Sequence, residues 1–144
     1  MQETISVAIV GYEAKLAERV GQAMAAYRTQ ITVFLPLSSM LETLSESSVI
    51  DVVILELEPP FEQAFDLLTF LKTKLRNAEV VFVTRFDDDT LWVEAIQRGA
   101  YDLLPRPVDV SELKRILTNA VERHRGKQWV AQCLSPDQAK ACQA

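Results

Sequence analysis

Glu56 and Glu58 close the run "DVVILELEPP" at residues 51–60, where five apolar residues are packed around two glutamates and two prolines end the segment. The apolar part reads as a buried strand, yet carboxylates are rarely buried without a partner. Either both groups sit at the wet end of the strand, or the strand presents one of them. Three other runs end in the same manner. "ISVAIVG" is followed by Gly11, Tyr12 and Glu13, "AEVVFVT" ends on Thr84 with Arg85 next, and "YDLLP" is followed by Arg106. Carboxylates brought together could ligate a hard cation through oxygen. An arginine could instead hold one of them in a bidentate fork, which a lysine cannot do.

Other groups carry less chemistry. The acidic triple at 87–89 reads as a helix start, where carboxylates meet the positive end of the helix dipole. His124 is the single histidine. With nothing catalytic beside it, it reads as a surface residue near the end of a helix. Gly11 alone is no dinucleotide fingerprint. Cys133 and Cys142 are too far apart and too poorly accompanied for a metal site. No catalytic residue is assigned.

These groups must be positioned by a regular alternation of elements. Strands are expected at 5–11, 31–37, 51–57, 78–84 and 101–105, with Pro36 pushing the second toward a sheet edge. Helical spacing joins Leu16, Val20, Ala23, Met24 and Tyr27, then Phe65, Leu68, Leu71 and Leu75. A short helix over 40–47 is expected after a Ser38 or Ser39 cap. Asp87 or Asp88 begins a helix that runs through Arg98, and Gly99 is its left-handed stop. Asp109 and Glu112 have the spacing of a capping box ahead of the stripe Leu113, Ile116, Leu117, Ala120 and Val121. Such alternation implies an α/β protein whose parallel sheet is covered on both faces. In open sheets of this kind, chemistry gathers beyond the carboxyl ends of the strands. Gly11, Tyr12, Glu13, Glu56, Glu58, Thr84, Arg85 and Arg106 would line one pocket there.

The chain has 144 residues, a net charge of −5 and a pI of about 4.9. An acidic chain whose one basic stretch is "RHRGK" at 123–127 is a poor binder of a phosphate backbone, so direct nucleic-acid contact is not expected. Membrane association is not expected either, since no apolar run reaches spanning length. Both cysteines fall in the last dozen residues, which argues against a disulfide framework and for a cytoplasmic setting. Residues 1–125 read as one domain and 126–144 as a helical extension or linker.

The five-fold βα repeat, "DVVILE", "VVFVT" ending on Thr84, and "GAYDLLPRP" resemble the receiver domain of bacterial two-component response regulators. The resemblance covers roughly residues 4–125. It implies a flavodoxin-like (βα)5 three-layer sandwich with a five-stranded parallel sheet of order 2-1-3-4-5. In that family an aspartate ending strand three accepts a phosphoryl group from a histidine kinase. Acidic residues ending strand one hold Mg²⁺, a Ser or Thr ends strand four, and a Lys ends strand five. Here Glu56 stands at the phosphoacceptor position, Gly11 and Tyr12 at the acidic pair, and Arg106 at the lysine. Thr84 and Leu103 occupy the two switch positions. Mg²⁺ demands near-octahedral oxygen ligands, and Gly11 and Tyr12 supply no carboxylate.

The expected function is therefore a receiver-like signalling module acting by protein–protein contact, without standard Mg²⁺-dependent phosphorylation and without a cofactor. Its partners would be a kinase or effector domain. A homodimer is expected through the face of the fourth helix, fifth strand and fifth helix, including Trp92 and Arg98. Two alternatives stand beside it: a phosphorylatable receiver with a non-standard acceptor, and a flavodoxin-like domain binding a small ligand near Tyr12. Glu56 and Arg106 are either a fixed ion pair or a solvated strand end and a loop cation.

Overall fold

The computed structural model describes residues 4–10, 14–34, 50–75, 78–86 and 88–133. Its elements are β1 (Ile5–Val10), α1 (Ala14–Ala23), β2 (Thr29–Phe34), β3 (Val52–Glu56), α2 (Phe61–Lys74), β4 (Glu79–Thr84), α3 (Asp89–Gln97), β5 (Asp102–Pro105) and α4 (Val110–Cys133). The strands form one sheet in the order β2-β1-β3-β4-β5, and every pairing is parallel. This is the expected flavodoxin-like order, with β2 at an edge. The helix expected over 40–47, its Ser38 or Ser39 cap, Pro36 and Asp87 lie outside the described residues.

Strand alternation divides the core in two, because successive side chains point to opposite faces. Val52, Ile54, Val81 and Val83 join Leu16 and Val20 of α1 and Leu113, Ile116, Leu117 and Ala120 of α4 on one face. Val53, Leu55, Val80 and Phe82 join Phe65, Leu68 and Leu71 of α2 and Leu91 and Ala95 of α3 on the other. Strands covered on both sides need no polar alternation, which is why they read as continuous apolar runs.

The helix ends follow local chemistry. The Asp88 carboxylate accepts the Thr90 N–H at 2.9 Å and caps α3. Gly99 ends the helix region at φ 109°, a conformation that side chains disfavour. Asp109 accepts the Ser111 N–H at 2.9 Å ahead of α4, while the Glu112 carboxylate faces Arg115 at 3.6 Å. Tyr27 corrects the expected stripe of the first helix: α1 stops at Ala23, and Tyr27 lies in the following turn, exposed. At the other end of the chain, α4 runs unbroken across residue 125.

Candidate functional site

Three strand ends meet at the carboxyl edge of the sheet. β3 stops at Glu56, whose register partner is Val83 of β4, and Thr84 at the end of β4 pairs with Pro105 of β5. The main chain holds this edge together. Leu57 N donates to Val83 O at 2.9 Å, and Arg106 N donates to Thr84 O at 2.8 Å. Arg19 of α1 donates through Nη1 to Val108 O, which ties the loop after Arg106 to α1 on the face where Val108 packs.

Arg106, fixed by its own backbone, directs its guanidinium at β3. Its Nη2 lies 2.7 Å from Glu56 Oε1, and its Nη1 lies 3.8 Å from Glu58 Oε1. The Arg106 and Glu56 side chains are only 22% and 16% exposed, so the closer pair is sheltered from water. Of the two readings of these residues, the geometry is that of an ion pair. Because both groups are largely withdrawn from solvent, their attraction is screened less than that of a surface pair.

Thr84 is fully buried, and its hydroxyl oxygen accepts the Phe86 N–H at 3.1 Å. Thr84 and Glu56 fall in opposite phases of the strand alternation. Arg85 is exposed and places its guanidinium over the Phe86 ring at 5.2 Å, and Phe86 meets Phe61 edge to face at 5.6 Å. Arg85 therefore faces this aromatic pair. Leu103 is buried among the α2 and α3 side chains. Gly11, Tyr12 and Glu13 lie outside the described residues.

The described donors do not fit Mg²⁺. The carboxylates that could ligate it, Glu56 and Glu58, already face a guanidinium, and a divalent cation between them would meet that positive charge. Among the described residues, no group of three or more His, Cys, Asp or Glu could hold a metal ion.

Trp92 and Arg98 separate. Trp92 is 46% exposed and its Nε1 donates to Asp102 Oδ1 of β5 at 3.0 Å. Arg98 sits on the other flank of α3, 3.0 Å from Glu94 and 3.5 Å from Glu62 of α2, with its guanidinium 4.6 Å from the Phe65 ring centroid. Six residues on a helix turn about 240° past a full revolution, so the two side chains leave the axis about 120° apart.

The amino edge of the sheet holds a second charged cluster that the sequence did not disclose. Asp51, just ahead of β3, accepts the Ser6 N–H at 2.8 Å through Oδ2 and faces His124 Nε2 at 3.3 Å through Oδ1. Arg125 Nε lies 3.6 Å from the same oxygen. One strand over, Glu79 faces Arg123 Nε at 3.8 Å. His124 is thus 3% exposed and corrects the expectation of a surface residue. A signal was present: His124 falls three residues after Val121 and seven after Leu117, in phase with the buried stripe. The cluster also accounts for the basic run at 123–127, whose first three residues face the sheet's own acids.

A family model described as response regulator receiver domain matches residues 7–118. The DNA-binding transcriptional regulator NtrC of Escherichia coli K12 is 28% identical over 107 residues, which covers 74% of this chain and 23% of that protein. A response regulator from Thermotoga maritima superposes with a TM-score of 0.75 at 16% identity, covering 83% of this chain and 99% of the other. NtrX from Brucella abortus superposes with a TM-score of 0.75 at 20% identity, covering 90% of this chain and 29% of the other. This chain thus spans about a quarter of the length of the NtrC relative, and the two structures speak to the fold.

Proposed function

The chain belongs to the response regulator receiver domain family, and from that premise we propose that it signals by protein–protein contact without standard Mg²⁺-dependent phosphorylation. The observation that carries this reading is the 2.7 Å pair between Arg106 and Glu56. Glu56 stands where the family's phosphoacceptor is expected, and its carboxylate is engaged by a cation with fork geometry. Phosphoryl transfer depends on positioning and on metal neutralisation of charge, and a misplacement of about 1 Å can cost on the order of 100-fold in rate. A glutamate carrying one extra methylene and paired with arginine is a fixed element in place of a switchable one.

The unit carrying this function is residues 1–125, with 126–144 as its extension. Its partners are a kinase or an effector domain, met in a cytoplasmic setting. NtrC is named a DNA-binding transcriptional regulator; here any such output would come through a partner or a further domain. The contact surface is the α3–β5–α4 face, where Trp92 and Val93 are exposed and Trp92 is anchored to Asp102. A homodimer through this face is part of the proposal.

Incubation with acetyl phosphate and Mg²⁺, followed by intact-mass measurement, tests the central claim. No mass gain is expected. A gain of one phosphoryl group that disappears in Glu56→Gln would replace this reading with that of a phosphorylatable receiver using a non-standard acceptor.

A further inference from the structure

The apolar stripe of α4 that packs on the sheet ends at Val121, but the helix continues to Cys133. Just past the stripe come three consecutive residues that meet buried acids: Arg123 with Glu79, and His124 and Arg125 with Asp51. We propose that Arg123, His124 and Arg125 form a latch that clamps the distal turns of α4 to the amino ends of β3 and β4. Opening it releases those turns while the stripe from Leu113 to Val121 stays packed.

The two halves of this contact differ in kind. The sheet half is built in. Asp51 N donates to Ser6 O at 2.9 Å, Asp51 O accepts from Glu79 N at 3.1 Å, and the carboxylate itself accepts from Ser6 N. Asp51 thereby joins β1 and the start of β4, and both Asp51 and Glu79 are buried. The helix half is mixed: His124 is buried, while the Arg123 and Arg125 side chains are 58% and 37% exposed. Arg123 also lies 5.7 Å from the Tyr101 ring, next to the α3–β5 face. The two arginines can exchange partners without repacking the core, whereas His124 and the apolar stripe cannot.

Hydrogen exchange read by mass spectrometry on the whole chain tests the latch. In Asp51→Asn, which retains an acceptor for the Ser6 N–H, amides of residues 122–133 are expected to exchange about tenfold faster, with 113–121 unchanged. An Arg123→Gln, Arg125→Gln double variant, which alters only accessible side chains, is expected to raise exchange in the same segment by a smaller factor. It decides the matter alone if Asp51→Asn does not fold. Exchange that rises evenly over α4 and the sheet, or does not change, would overturn the proposal.

Discussion

The two edges of the sheet use the same chemistry, an acid facing a cation, to different ends. At the carboxyl edge Glu56 meets Arg106 with side chains 16% and 22% exposed. At the amino edge the almost wholly buried Asp51 faces the Arg125 guanidinium and the buried His124 imidazole. An exposed pair contributes about 0–1 kcal/mol, whereas removing one partner of a buried pair costs about 3–5 kcal/mol, mainly by leaving the other charge dry. The amino edge is therefore the firmer joint, and the carboxyl-edge pair falls between the exposed and buried limits.

The largest expected effect is at the amino edge. Asp51→Ala should cost about 3–5 kcal/mol in urea unfolding. A loss below about 1 kcal/mol would make the two edges alike and break the contrast. Next come Glu56→Gln and Arg106→Gln, each expected to cost about 1–3 kcal/mol, between the exposed and buried limits. The double variant should lose less than the sum of the two, since contacting residues couple; strictly additive losses would dissolve the pair. Salt sharpens the comparison further. Going from about 0.1 M to 1 M ionic strength shortens the screening length from about 10 Å to 3 Å, so the Glu56–Arg106 coupling should shrink while the cost of Asp51→Ala stays nearly constant. The smallest effect is expected for Glu112→Gln, whose partner Arg115 is 3.6 Å away on the surface, at no more than about 0.5 kcal/mol.

The fold was legible because its strands are apolar without interruption and its helices carry clear stripes. Five strands and four of the helices were placed from these patterns, with ends displaced by a few residues. Tyr27 was assigned to a stripe that stops four residues earlier, since periodicity alone does not mark where a helix yields to a turn. At the carboxyl edge, Glu56 and Arg106 can be paired because they stand at the ends of β3 and β5, the two strands that flank β4. The Thr84 hydroxyl oxygen accepts the Phe86 N–H in a local turn, a contact that strand patterning does not show. The amino edge was hidden for another reason. A histidine between two arginines on an amphipathic helix looks solvated until the opposing acids are known, and Asp51 and Glu79 belong to strands far away in sequence. Trp92 and Arg98 were grouped because both lie on one helix, although its rotation sends them about 120° apart.

The unbroken course of α4 has a mechanical consequence. Residues 126–133 carry the helix about 12 Å past the latch at a rise of about 1.5 Å per residue. Over that reach a tilt of about 10° moves the tip by about 2 Å, roughly half a side-chain diameter. The latch is the fulcrum of this arm. A small angular change where Asp51 grips His124 would be multiplied into a displacement large enough to make or lose a packing contact at the far end.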